Sequence, residues 1–250
     1  RRIAGALVLA LPLTGTAETL MMPDRQTLVG SDVVVWGVTD QAGTYNLDCG
    51  NGVTSGDVAI TDGSYIALVC NYGAQGVFTA SLTVGAEVAE VDVAVFDGPG
   101  LSPEDLRGVQ INMTIEDGLR YLWISQTSRA ANFPANNTTN WSNGFPYADA
   151  SFVALAFENQ GYTLPNDNSM PTGIYEKYIV RRALNYMFGS LSEVTLTVQA
   201  PANDPCVGPG IEPAPCIGYR TPADPGYSVA IAMLPLAASG ALSRVQDEIA

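Results

Sequence analysis

The feature that most constrains this fold is an alternation of apolar and polar residues with a period of two between residues 27 and 95. Glycine, aspartate and asparagine interrupt the alternation at short intervals, and these residues accept the backbone angles that tight turns require. Alternation of this kind is typical of short antiparallel strands. We therefore predict a two-sheet β-sandwich with strands over 32–39, 43–48, 56–60, 64–70, 76–84 and 88–96.

Two aromatic segments make this region similar to a known family. Residues 45–52 read Tyr-Asn-Leu-Asp-Cys-Gly-Asn-Gly, and residues 72–84 contain Tyr…Gly-x-Phe-x-x-x-Leu-x-Val. The two segments together resemble a PKD (polycystic kidney disease) repeat, although Asn51 and Phe78 stand where that family usually has Asp and Tyr. The resemblance implies an immunoglobulin-like, PKD-type β-sandwich over 18–97. A generic immunoglobulin-like or fibronectin-like sandwich is the alternative.

Four cysteines favour an oxidising compartment. Cys49 and Cys70 lie in the two β segments, whereas Cys206 and Cys216 flank a loop rich in proline and glycine. Among the three possible connectivities, the two local disulfides Cys49–Cys70 and Cys206–Cys216 are the most economical prediction. Free thiols in the core are the alternative.

The first residues have the pattern of a secretory signal. Two arginines precede an apolar run over 3–13, and Thr-Gly-Thr-Ala follows at 14–17. A charged start, an apolar centre and small residues before a cleavage site define such signals, and the run is too short to span a bilayer as a permanent helix. We predict a signal segment over 1–17, with a buried helix or strand of an upstream domain as the alternative. No later segment has the length and apolarity of a transmembrane helix.

Charge and residue usage exclude several classes of function. The chain has 25 Asp and Glu against 11 Lys and Arg, for a net charge of -14, so phosphate backbones should repel it. It contains no histidine, which removes the usual general base and the commonest zinc ligand. We therefore predict no nucleic-acid partner, no metal, no cofactor and no catalytic residue.

The second half of the sequence predicts helices. Residues 98–101 form a glycine- and proline-containing linker, and Ser102-Pro103 opens the helical region 102–250 with an N-cap residue followed by proline. A second cap pattern, Thr-Ile-Glu-Asp, occurs at 114–117. We predict helices starting at these two caps and three more, over 149–160, 174–188 and 227–239.

The helical segments repeat in order, and this carries a second resemblance. Residues 115–123 correspond to 180–188, and 152–161 correspond to 231–240. With Ala-Leu-Ala-Phe…Gly at 154–161, the region is similar to the α/α-toroid of the terpenoid cyclase and protein prenyltransferase superfamily. The resemblance implies stacked helical hairpins, in an array too short to close a full toroid. The acid clusters and zinc ligands of those enzymes are missing, so the resemblance implies a fold and no activity.

Three residues near one inner helix are candidates for ligand binding. Trp141, Tyr147 and Asp149 are close together in sequence at the expected mouth of the helix. The alternative is that Asp149 is a first-turn acid favoured by the helix dipole.

These observations favour a secreted or surface-displayed modular protein with a non-enzymatic role in binding, adhesion or structure. Its partner would be an extracellular protein or polysaccharide. The alternative is an extracellular enzyme acting on a glycan, lipid or peptide, with its cleft in the helical toroid and its acids among Asp149, Glu116 and Glu158.

Overall fold

The computed structural model describes residues 18–60, 64–126, 138–141, 145–167, 169–195, 217–220 and 225–240. The predicted signal segment over 1–17 and the predicted pair Cys206–Cys216 lie outside the described residues.

Eight strands form the first part of the molecule, and they pair into two sheets. The first sheet has the order β1-β3-β6 and the second has the order β2-β8-β7-β4-β5. Strand β2 runs parallel to β8, and the other pairs are antiparallel. The strands are β1 Thr19–Met21, β2 Arg25–Leu28, β3 Asp32–Thr39, β4 Gly43–Asp48, β5 Val58–Ile60, β6 Ser64–Asn71, β7 Gly76–Val84 and β8 Glu87–Phe96.

Side chains from both sheets form a shared core, which confirms the predicted β-sandwich. Val35, Leu47, Leu82 and Val93 are fully buried and belong to one hydrophobic cluster. The predicted strands 32–39, 43–48 and 76–84 agree with the structure residue for residue. Strands β1 and β2 were not predicted, because three and four residues are too few to show a period.

The disulfide Cys49–Cys70 is confirmed. It joins the residue after β4, in one sheet, to β6 in the other sheet, and both cysteines are fully buried with their Cα atoms 5.9 Å apart. The hydroxyl of Tyr72 donates a 2.8 Å hydrogen bond to the carbonyl of Cys49. Gly50 follows with φ +77°, where a Cβ would lie 2.3 Å from the carbonyl oxygen of Thr79. The turn after the disulfide therefore requires glycine.

Helices follow the sandwich after a 3₁₀ turn at Gly98–Gly100. A π-helical turn, Glu176–Val180, leads directly into the third helix, and the antiparallel pair β9–β10 precedes the fourth. The helices predicted over 149–160, 174–188 and 227–239 agree with the observed helical segments to within about one turn. Their bounds are α1 Pro103–Ile124, α2 Pro146–Glu158, α3 Arg181–Phe188 and α4 Pro225–Ala238, with β9 Ser192–Thr195 and β10 Ile217–Arg220.

The prediction of separate helices starting at Ser102 and Thr114 is wrong, because α1 is one helix of 22 residues. Ser102 is the N-cap as expected, and its Oγ accepts a 3.1 Å hydrogen bond from the Asp105 amide. Thr114 instead donates from Oγ1 to the carbonyl of Gln110 at 2.8 Å. A threonine in mid-helix can bond to the carbonyl four residues earlier without ending the helix, so the cap pattern at 114 was misleading.

The helices pack on the outer face of the β1-β3-β6 sheet. Trp36 on β3 is fully buried, with ring centroids 5.1 Å from Trp123 of α1, 5.9 Å from Tyr175 and 5.4 Å from Tyr65. The sandwich and the helices therefore share one hydrophobic core. Aromatic packing thus continues from one half into the other, although a linker over 98–101 separates them in sequence.

The arrangement of the helices does not support the predicted α/α-toroid. Helix α1 and the π-helical turn lie against the sheet, α2 packs on that turn and on α3, and α4 packs on α2. In the described part of the chain the helices therefore form layers on a sheet instead of concentric rings. The repeated apolar segments indicate only that these helices are buried.

We expect a fragment of residues 18–97 to be less stable than the sandwich in the full chain, because Trp36 and Val38 lose the helices that bury them. Full burial of one large apolar side chain contributes about 1.5–3 kcal/mol, so the midpoint of urea unfolding should be lower for the fragment. Trp36→Thr should make the fragment more soluble but should destabilise the full chain. Equal midpoints for the fragment and the full chain would contradict a shared core.

Candidate functional site

The three predicted ligand-binding residues have mainly packing contacts. The indole Nε1 of Trp141 donates a 2.7 Å hydrogen bond to the carbonyl of Leu122, at the end of α1. Tyr147 is buried, with its ring centroid 5.5 Å from that of Tyr186. Asp149 lies in the first turn of α2. The described contacts do not join these three side chains into one site, and their role in binding stays a prediction.

A group of titratable side chains, three of them with a raised pKa, lies elsewhere, at the contact between the sandwich and the helices. We call this group the junction cluster. It combines one buried cation with two carboxylates and two tyrosines, and it consists of Arg25, Glu116, Asp117, Tyr162 and Tyr175.

An ion pair connects β2 to α1 within the junction cluster. Arg25 is almost completely buried, and its guanidinium donates from Nη2 to the carboxylate of Asp117, whose side chain is 62% exposed. The Nε atom of Arg25 has no hydrogen-bond partner within the described residues. A buried guanidinium is strongly unfavourable unless it is paired, so Asp117 fixes α1 against the second sheet.

A hydrogen-bonded tyrosine and carboxylate lie beside this ion pair. The hydroxyl of Tyr162 donates to Oε1 of Glu116 over 3.4 Å, and burial raises the pKa of Glu116 even though Arg25 acts to lower it. Burial also raises the pKa of Tyr162 and of Tyr175, with further contributions from Glu116. Both tyrosines therefore keep their protons at neutral pH, and the hydroxyl of Tyr162 is a hydrogen-bond donor in the junction.

A second polar group connects the start of the sandwich to the third helical segment. The ammonium of Lys177 pairs with the carboxylate of Glu18, which also accepts a 3.3 Å hydrogen bond from the hydroxyl of Tyr178. The guanidinium of Arg182 lies 4.7 Å from the centroid of the Tyr178 ring. We call Glu18, Lys177, Tyr178 and Arg182 the amino-terminal cluster.

Glu158 is the most perturbed carboxyl group in the described part of the molecule. It lies at the end of α2 with 6% of its surface exposed, and neither carboxyl oxygen has a hydrogen-bond partner among the described residues. Burial raises its pKa to about 8. Such a group is protonated at neutral pH and can donate a proton to a ligand. The sequence shows an acidic residue in an apolar helix. Only the fold shows that its carboxyl group has no hydrogen-bond partner among the described residues.

Three further observations concern what the described residues could bind. An open groove of about 420 Å³ lies where the ends of β7 and β8 meet the linker, with Val77, Val95, Phe96 and Leu101 in its lining. The described residues contain no group of three or more acidic or cysteine side chains close enough to hold a metal ion. Within the same residues, no helix is long and apolar enough to cross a membrane.

Comparisons with known proteins find similarity in structure only. No family model matches the sequence, and no curated protein matches it. The CARDB domain of a Pyrococcus furiosus protein in complex with di-metal ions is 12% identical with a TM-score of 0.26, covering 32% of this chain and 88% of that one. The PKD domain of an M14-like peptidase from a Thermoplasmatales archaeon is 14% identical with a TM-score of 0.24, covering 32% and 91%.

A third similar structure comprises domains 4 and 5 of the S-layer protein SbsC. It is 17% identical with a TM-score of 0.27, and the match covers 32% of this chain and 52% of that chain. In each case the match covers about one third of this chain. The assignment of a β-sandwich here rests on the strand pairing itself, and nothing in the function proposed below depends on these likenesses.

We expect Glu158 to make the stability of the helices depend on pH. Its pKa is raised from 4.5 to about 8, so its contribution is fully present below pH 4.5 and is lost as the pH rises towards 8. Glu158→Gln should leave the melting temperature at pH 4 nearly unchanged and should raise it at pH 8 relative to the wild type. Glu104→Gln, an exposed first-turn acid of α1, is the control. If the melting temperature changed with pH in the same way in the wild type and in Glu158→Gln, this assignment would be contradicted.

We expect Arg25 and Asp117 to be energetically coupled. Asp117→Asn leaves the guanidinium of Arg25 buried without its partner, whereas Arg25→Met together with Asp117→Asn removes both charges. A double-mutant cycle should give a coupling free energy of about 0.5–3 kcal/mol in urea unfolding. The coupling should weaken at high salt, because Asp117 is largely exposed. Strictly additive effects would show that the pair does not fix α1.

Proposed function

We propose that this chain is a secreted or surface-displayed modular protein with a non-enzymatic role in binding, adhesion or structure. The observation that carries the proposal is the disulfide Cys49–Cys70, which is fully buried between the two sheets. Disulfides of this kind form and persist in oxidising compartments outside the cytosol. The Tyr and Gly-x-Phe-x-x-x-Leu-x-Val pattern over 72–84 supports a sandwich of the PKD type.

The junction between the two halves suits a module that holds a fixed shape. Trp36 is fully buried between sheet and helices, and the pairs Arg25–Asp117 and Lys177–Glu18 bridge the same contact. A sandwich attached in this way holds the helical half in a fixed orientation and transmits force to it. A spacer domain, or a domain that displays a binding surface, needs both properties. With a net charge of -14, the surface favours a neutral or basic extracellular protein or a neutral polysaccharide as its partner.

An extracellular enzyme acting on a glycan, lipid or peptide is the second candidate, and Glu158 is the observation that favours it. A buried carboxyl group whose pKa is raised to about 8 has the property of a general acid, and such perturbed groups are frequent at active sites. In this case Glu158→Gln should abolish turnover while leaving the fold intact. A structural role for Glu158 predicts only the change in pH-dependent stability.

The compartment is tested with the full chain, including residues 1–17, in a bacterial host. We expect the protein outside the cytosol, with Cys49 and Cys70 protected from alkylation until a reductant is added. Cys49→Ala with Cys70→Ala should lower the unfolding free energy by about 3 kcal/mol, the value for a loop of this order. The control is Val69→Ala with Val77→Ala, which changes two exposed strand residues and leaves the disulfide in place. Accumulation in the cytosol with both cysteines alkylated would contradict the proposed function.

A further inference from the structure

The backbone of Glu18 faces a carboxylate at the point where the described chain enters β1. The nitrogen of Glu18 donates to Oδ1 of Asp40 at 2.5 Å, and the carbonyl of Glu18 accepts from the Asp40 nitrogen at 3.1 Å. Ordinary strand pairing joins a backbone nitrogen to a neutral carbonyl. A carboxylate in that place binds most strongly to a charged donor such as an ammonium group.

The side chain of Glu18 is held as firmly as its backbone. The ammonium of Lys177 and the hydroxyl of Tyr178, 159 and 160 positions further along the chain, both donate to Oε2 of Glu18. The side chain of Glu18 is 29% exposed, and that of Lys177 is 19% exposed. The nitrogen, the carbonyl oxygen and Oε2 of Glu18 are therefore all bound, directly before a strand of only three residues.

The residues before Glu18 have the composition of a cleavage site. Gly15 and Ala17 are small and are separated by one residue, and an apolar run over 3–13 with two preceding arginines completes the pattern. Signal peptidases of the export pathway require small residues at these two positions before the cut bond. The bond between Ala17 and Glu18 is therefore the one that the sequence marks for cleavage.

We propose that cleavage between Ala17 and Glu18 creates the mature amino terminus, and that the Asp40 carboxylate is the receptor for the new α-ammonium group. This inference rests on the export in the proposed function. In the hydrolysis the peptide C–N bond breaks, and water supplies a hydroxyl to the carboxyl carbon of Ala17 and a proton to the nitrogen of Glu18. An α-amino group of this kind is largely protonated at neutral pH, since its ordinary pKa is about 8.

Two carboxylates, two cations and one tyrosine face the new ammonium group. The charged or titratable groups that face it are Asp40 at the end of β3, the carboxylate of Glu18 itself, Lys177 and Tyr178 of the π-helical turn, and Arg182 of α3. Before cleavage, the nitrogen of Glu18 contributes a neutral donor to Asp40. After cleavage, it contributes an ammonium, so processing strengthens the attachment of the start of β1 to the residue that follows β3.

The site of cleavage is tested on the full chain exported from a bacterial host, with an initiator methionine placed before Arg1. Mass spectrometry of the exported protein should show Glu18 as the first residue. Ala17→Leu should prevent this cut and leave a larger precursor, because the bulky side chain does not fit the peptidase. An exported protein that begins at any other residue overturns the inference and leaves the proposed function intact. Retention in the cytosol with reduced cysteines overturns both.

The role of Asp40 is tested through the amines of the mature protein. Lys177 is the only lysine in the chain, so reductive methylation with ¹³C-formaldehyde should give two dimethylamine signals in the NMR spectrum. The signal of the α-amine should titrate above its ordinary value of about 8, and Asp40→Asn should lower that pKa. Asp57→Asn is the matched control, since Asp57 is an exposed residue that accepts one hydrogen bond from Asn46. An α-amine with the same pKa in Asp40→Asn and the wild type overturns the assignment.

Discussion

The burial of Trp36 is the interaction on which the rest of this structure depends. Residues 35–39 of β3 are buried at every position, although successive side chains of a strand point to opposite faces. One face fills the sandwich, and the other carries Trp36 into contact with Trp123 and Tyr175. An antiparallel sheet can leave one face in water, but a sheet with a tryptophan at its centre cannot do so without a covering layer. The helices are that layer.

Three of the 11 basic residues of this acidic chain bridge the contact between the two halves. Arg25 pairs with Asp117, Lys177 pairs with Glu18, and Arg120 donates from Nε to the hydroxyl of Tyr65 at 2.9 Å. Each of these contacts joins a strand, or the residue before β1, to a helical segment. With a net charge of -14, the surface retains its negative charge, which opposes non-specific association. The same charges orient the helices on the sheet.

Unlike these paired charges, Glu158 is a buried carboxyl group that forms no hydrogen bond with a described residue. Its pKa of about 8 means that the helical part is most stable when this group is neutral. Departures from local rules of this kind in natural proteins are expected at functional or strained sites. By contrast, the carboxylate of the amino-terminal cluster is paired, and this cluster stabilises the attachment of β1, a strand of only three residues.

The sequence by itself determined those strands whose alternation of apolar and polar residues is long enough to be recognised. β3, β4 and β7 follow from period-two alternation and glycine turns, and the disulfide follows from the placing of Cys49 and Cys70 in the two β segments. β1 and β2 escaped prediction because three and four residues are too few to show a period, and only their pairing in the fold, with Thr19 opposite Thr39 and Arg25 opposite Val93, identifies them as strands. The apolar helices were predicted as helices, but their hydrophobicity does not say what covers them. Only the tertiary structure decided that they cover Trp36, because burial of a face depends on residues brought together from distant parts of the chain.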